Sequence, residues 1–327
     1  MVTSDRGFTA FPRFDELPVF PETRERHAWG VFGEDDELGT LNHLTDERVA
    51  RSSRLIESGI RVNLNLPIDE PRRAYWAPWR EGRLARTVRV HGRSRDDYLD
   101  GFFLQGSSQW DALSHHGYRR FGFYNWLQED QLEEGKLGID RYAVRGIFGR
   151  GVLLDVAAYM AESGSPIDLQ TRFLIDGPLM ERVADWADVA LEVGDILVVR
   201  TAWLEWYRTL PESLIDVLAT NFSADPQSAA WPGIDPGIAT AGWLWDRRIS
   251  ALAVDNVGVE AVPYLSAEGS VHHRLLAMLG MALGELWDLR ELSATCAELE
   301  RYEFFLASAP LNVPKGAGSP ANAYAIF

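Results

Sequence analysis

The sequence predicts an α/β fold, and three observations carry that prediction. From residue 150 onward, short apolar runs alternate with single amphipathic helices, the pattern of βαβ units. Hydrophobic residues make up 46% of the 327-residue chain and charged residues 24%, the balance of a protein with a sizeable core. No apolar run reaches the ~18 residues that would cross a bilayer, so the apolar segments belong to that core.

The elements follow in order. Residues 1–45, rich in Pro, Gly and charge with scattered aromatics (Phe8, Phe11, Phe14, Phe20, Trp29), read as an irregular arm laid over a single domain spanning 46–327. Thr45 has the chemistry of an N-cap, and Asp46 and Glu47 follow in the first turn, where a helix dipole favours negative charge. A helix over 46–58, stopped by Gly59, is the expectation. Val62-Asn63-Leu64-Asn65-Leu66 alternates with period 2 and reads as a strand closed by Pro67. The Arg-rich stretch 70–100 offers one possible strand, 87–90. Beyond it, strands are expected at 151–156, 195–201, 250–255 and 302–308, and helices at 179–191, 237–248, 270–280 and 289–300. No repeat or low-complexity linker divides the chain.

Lys and Arg number 32 against 48 Asp and Glu, a net charge of −16. So acidic a surface repels phosphate backbones and anionic lipid, which argues against nucleic-acid or membrane binding. Cys296 is the single cysteine, so neither an internal disulfide nor a cysteine-based zinc cluster can form. The opening residues contain no apolar stretch of the secretory type, and a cytoplasmic location is the expectation.

Seven histidines include two adjacent pairs, His115-His116 and His272-His273. Around the first pair, Gln105, Ser107, Gln109 and Asp111 fall on one side of an extended segment, because residues two apart share a face. Flanked by Phe102, Phe103 and Trp110, that polar row needs partners: a metal, a ligand or buried water. A solvent-facing edge strand explains it equally well. Around the second pair, His273 and Glu285 would lie about 120° apart on one continuous helix. They meet only if the helix ends near Gly280 and the chain turns back; otherwise they are a helix His and an unrelated surface Glu. The residues by themselves raise an Asp/His/His/Glu site and go no further.

With these residues the chain resembles the cyclase family of metal-dependent hydrolases, the group of kynurenine formamidase, isatin hydrolase and trans-dienelactone hydrolase. The family signature H-x-G-T-H-x-D-x-x-x-H corresponds to Gln105-x-Ser107-Ser108-Gln109-x-Asp111-x-x-x-His115. A later His followed twelve residues on by Glu corresponds to His273 and Glu285. Trp29-Gly30, Leu38-Gly-Thr-Leu-Asn42, Gly194-Asp-Ile-Leu-Val-Val-Arg-Thr201 and Pro310 through Pro320 also match, over roughly residues 27–327. The resemblance implies a single-domain swivelling β/β/α fold with a mixed sheet. It implies metal ligands at Asp111, His273 and Glu285, and a catalytic proton shuttle at His115. The family's two other metal-binding histidines fall on Gln105 and Gln109. A Gln amide is a poor ligand for zinc, so one divalent ion, Zn²⁺ or Mn²⁺, is expected, with Gln109 as a fourth ligand or a substrate partner.

The implied activity is hydrolysis of an amide or ester (a lactone, cyclic amide or N-acyl aryl amine) by a metal-activated water. Gln105, Trp110, Phe103 and Tyr124 are the expected substrate-binding residues, beside a small-molecule substrate. A lyase, dehydratase or ring-closing reaction on the same metal remains open, as does a metal-free binding protein. Twelve tryptophans and the aromatic arm, together with the resemblance, point to a homodimer or homotetramer.

Overall fold

The computed structural model describes residues 11–77, 84–265 and 268–327, so Phe8 and the start of the arm lie outside the described residues. The described part of the arm contains short 3₁₀ turns at Phe14–Glu16 and Gly39–His43. Its aromatics are spent on packing. The Trp29 indole donates to the Ala277 carbonyl at 2.7 Å, and the Trp245 indole donates to the Pro12 carbonyl at 3.0 Å.

Thr45 accepts from the Arg48 amide and opens α1 (Asp46–Ser52). This helix is shorter than expected because the hydroxyls of Ser52 and Ser53 turn back onto the carbonyls of Val49 and Ala50. β1 (Arg61–Asn63) is short for a related reason: the Asn63 side chain accepts from the Asn65 amide and ends the strand. β2 (Ala85–His91) and β3 (Ser94–Asp100) form a hairpin across Gly92-Arg93, exposed along nearly its whole length.

The chain then supplies β4 (Gln109–Asp111), α2 (Glu129–Glu133) and α3 (Ile139–Arg145). Next come β5 (Ile147–Asp155), α4 (Val156–Glu162), β6 (Leu174–Ile175) and α5 (Gly177–Trp186). The Asp176 side chain caps α5 on the Leu179 amide at 2.8 Å, two residues before the start expected from periodicity. β7 (Ile196–Arg200), α6 (Trp203–Arg208), α7 (Glu212–Ala224), β8 (Gly233–Ile234), α8 (Ile238–Asp246) and β9 (Ala251–Val254) follow. A π-helix (His272–Met278) leads into β10 (Ala282–Glu285), then α9 (Arg290–Leu299), β11 (Glu303–Ser308), β12 (Gly318–Pro320) and β13 (Ala323–Ile326).

Among the described residues nine strands form one mixed sheet in the order β1-β13-β11-β5-β7-β9-β10-β4-β12. β5, β7, β9 and β10 are parallel and buried, which explains their continuous Val/Leu/Ile/Ala runs. Antiparallel strands flank them on both sides. β12 lies at one edge and β13 next to the other, yet only Ala321 and Asn322 separate them in sequence. The two ends of the sheet must therefore meet, and the sheet curls on itself. The Trp110 indole of β4 spans the interior to donate to the Ser308 hydroxyl of β11 at 2.9 Å. No helix of the described residues is long and apolar enough to cross a membrane.

Candidate metal centre

β4 builds the floor of the site. Asp111 pairs in register with Leu283 of β10 and Gly318 of β12, and Gln109 stands opposite Glu285. Alternation along the strand gives Gln109 and Asp111 one face and Trp110 the other. Trp110 is fully buried, packed edge-on against Trp287 with ring centroids 5.0 Å apart. It is a core residue and does not line the cleft, contrary to the expectation of a substrate-facing indole. Tyr124 is likewise buried and donates its hydroxyl to Asp36, and Phe103 does not line the cleft.

The second half of the site comes from the π-helix and β10. The helix ends at Met278, Gly280 turns the chain at φ +70°, and β10 returns Glu285 to the floor. His272, not His273, is the imidazole that faces the carboxylates. Its Nε2 lies 3.2 Å from Glu285 Oε1 and 3.6 Å from Asp111 Oδ2, and its Nδ1 lies 3.0 Å from Glu260 Oε1. His273 turns instead toward Tyr118 and His116, with ring centroids 5.6 and 5.8 Å away. The physical reason is local. A π-turn holds one residue more than an α-turn, which stretches the His-to-Glu count from twelve to thirteen. Glu260 fixes the phase by accepting from the Val271 amide at 2.9 Å and the Ser270 hydroxyl at 3.0 Å.

Gln105 bridges the two halves of the signature segment. Its amide nitrogen donates to Asp111 Oδ1 at 2.5 Å and meets His115 Nδ1 at 3.0 Å. His115 Nε2 is then left facing Asp111 Oδ1 at 3.8 Å. Donor atoms of Asp111, His115 and His272 all lie within 4.8 Å of one another.

The electrostatics are unusual for a buried cluster. Asp111, Glu260 and Glu285 are at most 6% exposed, and among the described residues no Lys or Arg pairs with any of them. Burial alone would raise the Asp111 carboxyl, but His115, His272 and the Gln105 hydrogen bond hold it below its ordinary value. Burial likewise opposes protonation of His272, and the surrounding carboxylates outweigh it and hold that imidazole well above its ordinary value. Asp111 Oδ2 and Gln109 Oε1 are buried acceptors without a hydrogen-bond partner. Orphaned oxygens facing uncompensated carboxylates and an imidazole fit a divalent cation, which these donors would hold.

Above the floor opens a cleft of about 790 Å³. Gln105, Gln109, His115, His273 and Glu285 reach it from the expected set; Trp76, Tyr118, Tyr264, Glu260, His116 and His272 are not among the site residues the sequence points to. Glu260 lies twelve residues before His272 and belongs to no motif. The pairing of His272 with His273 was visible, and the choice between them was not.

A curled mixed sheet whose cleft floor gathers buried carboxylates and imidazoles defines an α/β protein with a candidate metal centre. Residues 62–261 match the family model described as putative cyclase, and the chain belongs to that family. A crystal structure described as a novel cyclase is 32% identical, covering 95% of this chain and 100% of that one, at a TM-score of 0.78. Isatin hydrolase A from Labrenzia aggregata shares the fold at 17% identity and a TM-score of 0.57, over 88% of this chain and 98% of that one. A predicted metal-dependent hydrolase from Bacillus stearothermophilus does so at 16% and 0.50, over 82% and 98%. No curated protein sequence matches the chain.

Proposed function

We propose that this protein is a metal-dependent hydrolase that cleaves the carbonyl of an amide or ester, in a lactone, a cyclic amide or an N-acyl aryl amine. The observation that carries the reading is the set of buried carboxylates with no Lys or Arg partner among the described residues, beside two orphaned oxygens. Asp111, His272 and Glu285 would hold one Zn²⁺ or Mn²⁺, with Gln109 Oε1 as fourth donor. Such an ion lowers the pKa of water to about 7 and polarises a carbonyl.

The chain's own residues do the rest. Gln105 is committed to Asp111 and His115, so it leaves no second ion site on that side. His115, pinned at Nδ1, moves a proton through Nε2 between the attacking water and the leaving group. Trp76, Tyr118 and Tyr264 give the cleft aromatic surface for the organic part of the substrate. The chain is proposed to work in the cytoplasm as a homodimer or homotetramer. The β2–β3 hairpin supports assembly: Val90, Tyr98 and Leu99 are 59%, 48% and 42% exposed, and a lone two-stranded hairpin is marginal in water. Light scattering is expected to return a multiple of 36.8 kDa, and the monomer mass would refute assembly.

Elemental analysis tests the centre. About one tightly held divalent ion per chain is expected; His272→Ala should release it and His273→Ala should retain it. His115→Ala should keep the metal while losing roughly 10²–10⁴-fold in kcat on a panel of lactones, cyclic imides and N-formyl aryl amines. Two ions per chain would refute the single-ion site. No metal and no turnover would refute the hydrolase reading.

A further inference from the structure

One wall of the cleft carries donors that the protein itself does not use. His116 and His273 make ring contacts, yet among the described residues neither side chain has a hydrogen bond. Arg119 also lines the cleft; its guanidinium lies 5.5 Å over the Tyr118 ring and meets no carboxylate among the described residues. Its neighbours differ. Arg120 is paired with Glu22, and Arg274 is spent on Glu25 and on the carbonyls of Pro236 and Glu268. In a chain with an excess of sixteen acidic groups, a cation on a cleft wall with no carboxylate partner among the described residues is conspicuous.

The backbone is shaped to keep it there. Arg119 sits at φ +51°, a left-handed conformation that a residue with a Cβ rarely adopts. The turn is clamped by the Tyr118 amide on the Gly122 carbonyl at 2.7 Å and the Phe121 amide on the Tyr118 carbonyl at 3.1 Å. Strain of this kind persists where surrounding structure imposes it, and it clusters at ligand-binding sites. From the metal floor the wall runs outward in single-ring steps: His272 to His116 at 5.0 Å, His116 to His273 at 5.8 Å, His273 to Tyr118 at 5.6 Å.

We propose that the cleft takes an anionic substrate, with Arg119 receiving its carboxylate and His116 and His273 lining the path to the reacting carbonyl. A guanidinium fork suits the two oxygens of a carboxylate, and Tyr118 beneath it offers a flat surface to an aromatic body. The reacting centre in this picture rests on the hydrolase reading; the anion site does not.

The test uses benzoate as probe on the purified full-length protein, followed by calorimetry, and a pair of esters, phenyl acetate and 4-carboxyphenyl acetate. Arg119→Ala should weaken benzoate binding about ten- to a hundredfold, the usual range for hydrogen bonds to a charged group. It should also abolish the preference for the carboxylated ester in kcat/KM. Arg120→Ala, whose side chain is paired with Glu22, should alter neither. Benzoate binding that survives Arg119→Ala but vanishes on chelation would put the carboxylate on the metal and overturn the proposal. So would the absence of benzoate binding to the wild type. If both esters are cleaved with equal efficiency, the anion site falls and the hydrolase reading stands. If neither is cleaved while benzoate still depends on Arg119, the reverse holds.

Discussion

Glu260 illustrates what a single side chain can do from behind a candidate ligand. It accepts from His272 Nδ1, the Val271 amide and the Ser270 hydroxyl, so both its oxygens are spent on one turn. Hydrogen-bonding Nδ1 leaves Nε2 to face Asp111 and Glu285, the orientation that a metal-ligating histidine needs. Val259 beside it is held at φ +60°, a strained value for a β-branched residue. Glu260→Gln is expected to weaken zinc affinity by roughly 10- to 100-fold, as loss of such a partner usually does. Competition with a chromogenic chelator measures it, and unchanged affinity would show that Glu260 only ties down the loop. Nothing in the sequence marked this residue, because its contacts join segments that no local pattern links. Asp111 was legible for the opposite reason: period 2 put it on one face with Gln109.

The elements that periodicity describes best are those whose burial is uniform. β5, β7 and β9 stand out as apolar runs because these parallel strands are buried on both faces. α6 and α7 went unread, since Trp, Tyr and Asn punctuate them without a clear apolar stripe. The π-helix was legible as a helix but not in its phase, and phase decided between His272 and His273. Its exit depends on Gly39 and Gly280, whose backbones pack against each other. The Thr40 amide donates to the Gly280 carbonyl at 2.9 Å, and a Cβ on Gly280 would meet the Tyr124 ring at 2.6 Å. Gly280→Ala should therefore cost at least about 2 kcal/mol, the left-handed penalty plus overpacking. Gly59→Ala, at φ +76° with nothing within 4 Å, should cost only about 1 kcal/mol. Urea unfolding of the two variants checks the difference, and equal midpoints would contradict the close approach.

At the scale of the whole molecule, the arm buries two imidazoles that shape its response to acid. Burial lowers His27 to about 4, and burial aided by Arg48 and Arg248 lowers His43 to about 3. Both are neutral when folded, while an unfolded histidine takes up a proton below about 6.5. The unfolded state thus binds more protons there, and stability falls as pH drops. The contribution is complete above pH 6.5 and is lost progressively toward about 4 for His27 and about 3 for His43. Unfolding free energy followed from pH 7 to 5 should show this slope, and His43→Phe should remove close to one proton of it. An unchanged slope would mean that His43 already titrates normally in the native protein.

The closure of the sheet also sets an order in time. Asp111 and Gln109 emerge about a third of the way along the chain, but the strands that flank them, β10 and β12, are made in its last sixth. β12 brings Gly318 opposite Asp111, and a Cβ there would collide with the Gln105 side chain at 2.5 Å. A nascent chain that already carries every candidate ligand still lacks the strand that shelters them. Pairings this distant in sequence are slow to form, and until they do the acidic floor is open to water. The shelter of the candidate site is thus among the last parts of the protein to be synthesised.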